Sequence, residues 1–280
     1  MSQRTFLGIR DIQLTEYDIL KKVVTFLDKN QLQYILCGGT MLGAVRHHGF
    51  IPWDDDIDIL VPREDYETLK TLLSNNPNSV DGIVFRLPGA KDSLYPFIKA
   101  ENPLYKCIDD RFANSLPLYI WIDIFPLDHF PDEENKHRRM VRRISFWKTI
   151  LYSGILSKEY WKSRFQNNYL KLVKYKVAYF IYSIMNSHCG VSKRIDRIAK
   201  KMNDRYSTSN HVGDGAWPEG MKDYFKCEWT FPTIKKLFEK DEFNIPENYD
   251  SYLKQFYGDY MTPPPEHKRT GHHITVYKED

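Results

Sequence analysis

The sequence predicts an α+β chain, with a mixed helix-and-strand core over residues 1–130 and a largely helical, less regular extension beyond it. Short apolar runs bounded by glycines or acids recur between residues 34 and 125, and an amphipathic helical stripe precedes them. From about residue 135 to 205 the periodicity becomes helical and the composition turns basic and aromatic. At 280 residues the chain is long enough for one or two domains and a pocket. With 42% hydrophobic and 15% aromatic residues, a disordered chain is excluded.

Ile19, Leu20, Val23, Val24 and Leu27 recur at helical spacing behind Thr15, a candidate cap with Asp18 three residues on, and predict a helix over about 15–29. Tyr34–Cys37 reads as a short strand that ends at Gly38-Gly39, after which Thr40–His47 reads as a short helix. A turn at Gly49-Phe50-Ile51-Pro52 leads into Asp56–Val61, where acids alternate with apolar side chains before the run becomes wholly apolar. That pattern predicts a strand with one wet end. A helix over Arg63–Leu73 and strands at Ile83–Leu87, Tyr95–Lys99 and Tyr105–Ile108 follow, then a strand at Leu118–Phe125 interrupted by Asp123. The chain thus divides into a core (1–130), a basic aromatic helical region (131–224) and a C-terminal segment (225–280) expected to pack back on the core. That last segment reads as short helices and loops, with Pro263-Pro264-Pro265 and a His-rich tail.

No uncharged run exceeds 16 residues (Asn30–Val45, Val177–Ser192), short of a membrane span. Residues 1–15 carry Arg4, Arg10 and Asp11 without an apolar segment, so a secretory signal is not expected and the cytoplasm is the expected location. Cys37, Cys107, Cys189 and Cys227 show neither a disulfide framework nor a zinc-ligand spacing and read as buried thiols. The net charge of +3 conceals an asymmetry: Lys136–Lys201 holds 17 Lys or Arg and two acids, a local +15 that leaves −12 elsewhere.

Asp54, Asp55, Asp56 and Asp58 fall within five residues, and side chains two apart in a strand point the same way. Asp56 and Asp58 would then share a face. Their charges repel, and no adjacent Arg or Lys is supplied by the local sequence, so a hard divalent cation, Mg2+ or Mn2+, is the expected neutraliser. A solvated acidic loop is the alternative, and Ile57, Ile59, Leu60 and Val61, which anchor the acids to a buried strand, count against it. Gly38, Gly39 and Thr40 at a strand-to-helix junction offer close approach and first-turn donors to a phosphate, with Arg46 as a cationic contact or a surface residue. Asp123, a carboxylate within an apolar run, needs a cation or donor nearby.

The run from Cys37 to Asp58, Cys-Gly-Gly-Thr-Met-Leu-Gly-Ala-Val-Arg-His-His-Gly-Phe-Ile-Pro-Trp-Asp-Asp-Asp-Ile-Asp, resembles the signature of the LicD family, whose relatives include fukutin-related protein. Trp121–Asp128 and the blocks around Ile245-Pro246, Tyr249-Asp250 and Tyr257–Met261 are similar to later parts of that family. The resemblance implies a nucleotidyltransferase-type fold, a small mixed sheet with flanking helices. It implies metal bound by Asp56, Asp58 and Asp123, and donor phosphate held by Gly38 and Gly39. It further implies transfer of a phosphoalcohol such as phosphocholine, ribitol phosphate or glycerol phosphate from a CDP-alcohol donor to a hydroxyl of a cell-surface glycan such as teichoic acid, lipopolysaccharide or capsule. Asp123 would either complete the metal site or take the acceptor proton.

The same resemblance places Lys268, Arg269 and His272 near the donor phosphate. Trp53 either stacks at the mouth of the acidic site or packs in the core. Asp54, Tyr257 and Asp259 are further donor-pocket candidates, with a structural role as the alternative for the last two. For the basic middle region the readings are a solvated helix surface, an acidic glycan or nucleic-acid site, or an anionic membrane surface. A lipid-linked acceptor would suit the membrane reading, at the inner face of the cytoplasmic membrane, and no nucleic-acid module is present. The alternatives to phosphoalcohol transfer are a nucleotidyltransferase that makes an activated donor from an NTP, and a non-catalytic adaptor.

Overall fold

The apolar alternation gives a mixed sheet, seen in a computed structural model that describes residues 4–112, 118–165, 168–185, 188–269, 271 and 274–279. The elements are, in order, β1 (Arg4–Phe6), α1 (Ile9–Lys29), β2 (Ile35–Leu36), α2 (Gly38–Arg46), β3 (Asp58–Pro62), α3 (Arg63–Asn75), β4 (Val84–Arg86), β5 (Ile98–Ile108) and β6 (Leu118–Phe130). Four helices follow: α4 (Glu134–Ile155), α5 (Lys158–Phe165), α6 (Tyr169–Ile184) and α7 (His188–Arg205). Then come β7 (His211–Asp214), β8 (Phe225–Lys226), β9 (Thr233–Phe238), β10 (Asp241–Pro246), α8 (Tyr249–Tyr257) and β11 (Thr275–Glu279).

The sheet runs β1-β11-β5-β6-β3-β2, with β4 also on β5, and β7 and β8 continuing from the far end of β6. β3 and β6 are parallel, whereas β5 pairs antiparallel with β6. Side chains alternate between the faces of β6. Ile120, Ile122 and Ile124 are fully buried and share the main core with Ile19, Leu20, Val23 and Leu27 of α1. Tyr119, Trp121, Asp123 and Phe125 point the other way and line a cavity. That cavity is closed from the opposite side by Tyr152 and Leu156 from α4 and its C-cap, and by Tyr160 and Trp161 of α5. A second apolar cluster, including Phe130, Ile144, Leu151 and Val191, holds the helical extension together.

The two bodies are joined by a buried guanidinium. Arg63, at the start of α3, is 2% exposed in its side chain. Its Nε and Nη2 donate to the two carboxylate oxygens of Asp128 on β6 at 2.5 and 2.6 Å, and its Nη1 donates to Asp196 on α7 at 2.9 Å. A planar fork is required here, because lysine offers no second parallel bond.

Several boundaries differ from expectation, each for a physical reason. The first helix begins at Ile9, and Thr15 is an interior residue whose hydroxyl donates to the Asp11 carbonyl at 2.7 Å. Its apolar stripe was masked because Gln13 and Glu16, 4% and 1% exposed, sit on the buried face. β3 starts at Asp58, so Asp56 lies in the extended segment before the strand. Tyr95–Lys99 and Tyr105–Ile108 are replaced by one long strand, β5, which the irregular register between Asn102 and Lys106, around Pro103, divides. Beyond residue 225 the chain is not only helices and loops: β9 and β10 form a hairpin and β11 enters the main sheet. Charged residues such as Lys235, Lys236, Glu242 and Lys278 obscured those strands. Cys37 and Cys107 are buried free thiols, while Cys189 and Cys227 are partly exposed.

Breaking a buried ion pair by removing one partner typically destabilises by about 3–5 kcal/mol. Arg63→Ala is expected to lose stability on that scale in urea melts and Arg63→Lys to recover little of it. A loss below about 1 kcal/mol, the range of surface pairs, would show that the network does not fasten the two bodies.

Candidate active site

One row of side chains crosses four strands. Asp58 on β3 is the register partner of Asp123 on β6, Asp123 that of Lys99 on β5, and Lys99 that of Arg86 on β4. The row therefore reads acid, acid, base, base across one face of the sheet. Lys99 Nζ lies 2.6 Å from Asp123 Oδ1, with side chains only 9% and 14% exposed. The same ammonium stands 4.0 Å from the ring centre of Trp121 and 4.5 Å from that of Tyr95, close enough for cation–π attraction. The local sequence around the acids offers no cation, but the sheet brings one from β5 to Asp123.

Burial holds the Asp58 carboxyl well above the usual carboxylate range, and Asp56, Asp123 and Asp54 push it further up against the pull of Lys99. Asp56, Asp58 and Asp123 line one cavity of about 550 Å³. Its walls are aromatic, with Tyr95, Trp121, Tyr152 and Trp217, and it also holds paired charges, Glu101 with Arg86 and Asp109 with Arg111, besides Glu219.

The glycine pair stands against this acid cluster. Gly38 opens α2 at a φ of 53°, a conformation that favours glycine, and a Cβ there would lie 3.3 Å from Asp58 Oδ2. A Cβ on Gly39 would lie 2.5 Å from Asp54 Oδ2. Both positions thus leave room for carboxylates at the start of α2, the end of a helix where its dipole favours negative charge. The buried Thr40 hydroxyl accepts a hydrogen bond from the Asp58 amide at 2.8 Å, so this oxygen anchors the start of β3.

Arg46, in the last turn of α2, donates to the Tyr260 carbonyl at 2.6 Å and to His47 Nε2 at 2.9 Å. It thereby ties the C-terminal block to α2 and is not among the residues of the aromatic cavity. Trp53 packs edge-on against His47 and carries the Arg269 guanidinium 4.9 Å from its ring centre. Arg269 also donates to the Pro264 carbonyl at 2.8 Å. A Cβ on Gly271 would meet Asp55 Oδ1 at 2.7 Å and the Trp53 carbonyl at 2.8 Å, which puts this part of the tail directly on the acidic loop. Lys268 is exposed on a short 3-10 turn beside Arg269, and His272 lies outside the described residues. Burial, Asp58 and Asp54 hold the Tyr257 phenol above its ordinary range, although 40% of the residue is exposed. Asp259 stands apart, exposed and accepting from Thr262 at 2.7 Å.

Sequence reasoning missed Lys99 and Glu16, and it counted Asp55 in the acidic cluster without giving it a role. Glu16, on α1, is 1% exposed; burial raises its carboxyl well above the usual range, and Asp56, Asp55 and Asp54 reinforce the effect. Asp55 is 5% exposed. Lys99 and Glu16 carry the signal that singled out Asp123, a charge embedded in an apolar run or stripe.

An oxygen-only set of Asp56, Asp58 and Asp123 has the chemistry of a Mg2+ or Mn2+ site, and burial next to Asp56 and Asp123 keeps the Asp58 carboxyl raised in spite of Lys99. Among the described residues no three acid, imidazole or thiol groups already stand at metal-holding separation.

A glycine-started helix faces carboxylates on adjacent strands, and likeness to phosphotransferases of known type makes the chain a LicD-type transferase. Residues 31–149 match the family described as LicD/FKTN/FKRP, nucleotidyltransferase domain. Over those residues the chain carries a LicD-type domain. It is 29% identical over 284 residues to the lipopolysaccharide cholinephosphotransferase LicD of Haemophilus influenzae, covering 96% of this chain and 97% of that one. It is 28% identical over 124 residues to the ribitol 5-phosphate transferases FKRP of Mus musculus and Homo sapiens, covering 38% of this chain and 25% of each relative.

The Lys99–Asp123 pair yields a double-substitution cycle. Lys99→Met alone is expected to destabilise by about 3 kcal/mol, since it strands a largely buried carboxylate. Adding Asp123→Asn should restore most of that loss in chemical denaturation, whereas strictly additive effects would show that the two groups do not pair.

Proposed function

We propose that the protein transfers a phosphoalcohol, and specifically phosphocholine, from a CDP-alcohol to a glycan hydroxyl with the help of Mg2+ or Mn2+. The observation that carries this reading is the Asp58–Asp123 row, which stands at once beside the start of α2 and on the wall of an aromatic cavity. The amides and the glycine pair suit the donor diphosphate. The cavity suits a cationic alcohol better than a polyol: Trp121 and Tyr95 already attract the Lys99 ammonium, and Trp217 carries the Lys148 ammonium 3.9 Å from its ring centre. The full-length likeness to a cholinephosphotransferase supports the same choice.

In this reading Asp56 and Asp58, with Asp123, would hold the cation, which would supply charge neutralisation to the donor diphosphate and the departing CMP. Gly38 and Gly39 let the donor approach α2, and Trp53 with Arg269 borders the same end of the acidic loop. The acceptor oxygen forms the new bond to phosphorus as the bond to CMP breaks, and Asp123 is placed to receive the acceptor proton. Lys99 positions Asp123 for that task. A lipid-linked acceptor and work at the inner face of the cytoplasmic membrane complete the proposal, supported by the basic helical region.

A panel of CDP-choline, CDP-ribitol, CDP-glycerol and NTPs tests it. Cation-dependent CMP release is expected, fastest with CDP-choline. Pyrophosphate release from an NTP would instead make the enzyme a nucleotidyltransferase, and no product from any donor would make it an adaptor.

Asp56→Asn and Asp58→Asn are expected to lower turnover at least about a hundredfold, on the scale of a lost electrostatic stabiliser. The pH dependence of stability in chelator tests Asp58 separately. Its raised folded-state pKa means that the unfolded chain ionises first, so ionising this group lowers stability as pH rises through the carboxylate range. Asp58→Asn should therefore raise Tm at neutral pH, and the gain should vanish in acid below the unfolded pKa of about 3.9. A pH-independent difference would remove the charge from the account. Asp123→Asn should lose turnover but keep donor affinity better than Asp56→Asn does, as titration with CDP-choline would show; equal loss assigns Asp123 to the cation alone.

A further inference from the structure

We propose that α6 is an in-plane membrane anchor, whose outward apolar face enters the headgroup–acyl boundary of an anionic bilayer while flanking lysines hold lipid phosphates. Leu170, Val173, Val177, Phe180 and Ile184 follow one another at steps of three and four and form a single stripe. They are 74%, 39%, 54%, 64% and 66% exposed. The opposite face is also apolar but is packed: Ala178 is buried in the helical cluster, Tyr182 covers Gly154 of α4, and Tyr175 stacks on Trp161 at 4.4 Å. A helix that is apolar all round normally lies inside a core or against lipid. Half of this one faces outward.

Charge identifies what covers it. At 100° per residue Lys174 and Lys176 fall on opposite sides of the stripe, in position to extend along it and reach phosphates at the interface. Between α5 and α6 a groove of about 220 Å³ is floored by Trp161 and Tyr175 and edged by Lys158, Lys162 and Lys176. Acids are scarce around it: of the two between Lys136 and Lys201, Asp196 is engaged by Arg63 and Lys70. A second copy docked face to face would set lysines against lysines, whereas an anionic lipid surface is complementary. At 16 residues α6 is about 24 Å long, and among the described residues no helix is long and apolar enough to cross a membrane. The anchor therefore lies on the bilayer, independently of which alcohol is transferred.

Sedimentation with vesicles of phosphatidylglycerol and phosphatidylethanolamine, against vesicles of phosphatidylcholine alone, tests this without using turnover. Wild-type protein should pellet with the anionic vesicles and be weakened by salt. Lys174→Glu with Lys176→Glu should partition at least about tenfold more weakly, given on the order of 1 kcal/mol per surface cation. Val177→Ser with Phe180→Ser should abolish the attachment that survives high salt. Both pairs should keep wild-type melting and wild-type turnover of a soluble acceptor. Wild type remaining in the supernatant at low salt overturns the proposal, as does a light-scattering dimer that the Val177 and Phe180 substitutions dissociate. Either result leaves the transferase reading intact.

Discussion

Repulsion between two carboxylates on neighbouring parallel strands is the constraint around which the catalytic half of the molecule is organised. Asp58 and Asp123 occupy the same register, a few ångströms of sheet apart, where ionised acids are unfavourable without a cation. Lys99 meets one of them from the far side of β6, and its ammonium is in turn accommodated by the faces of Trp121 and Tyr95. The glycine pair contributes by what it lacks: any side chain at Gly38 or Gly39 would crowd carboxylate oxygens of the same cluster. Charge, aromatic wall and glycine turn are thus one arrangement seen from three sides.

The helical extension is part of that arrangement because it closes the cavity. The sheet face would otherwise open to solvent, where cation–π and charge–charge attraction are weak. α4 and α5 supply the covering aromatics, and the Arg63 network fastens α7 to β6 and α3. A guanidinium with bonds to two separate elements holds orientation as well as distance, which an apolar contact does less well.

Much of the core was legible in the sequence because its signals are local. The acids around Asp58 and the Gly38-Gly39 junction each declare themselves within a few residues. Asp123 does so by interrupting Leu118–Phe125. Lys99 was legible in principle, since it interrupts Phe97–Ala100 in the same way, but its partner is fixed by strand order, which periodicity does not encode. Glu16 and Gln13 concealed the start of α1 because polar groups sit where the stripe should be apolar. The hairpin β9–β10 and strand β11 escaped because their exposed positions carry charges, so that only tertiary pairing makes them strands. The outward stripe of α6 had the opposite difficulty. Composition showed an apolar, basic helix, and only the packing shows which of its two apolar faces is left uncovered.

The position of β11 has a consequence for how the chain acquires its structure. It lies between β1 and β5, so that among the described residues the strand partners of residues 4–6 are residues 277–279. During synthesis β1 must wait without its strand partner until β11 has emerged, and the facing edge of β5 waits with it. Closing such a long loop is slow, and an open strand edge is where wrong partners attach. β1 is only three residues long. Its brevity limits the hazard, for a strand that short offers a poor template to another nascent chain.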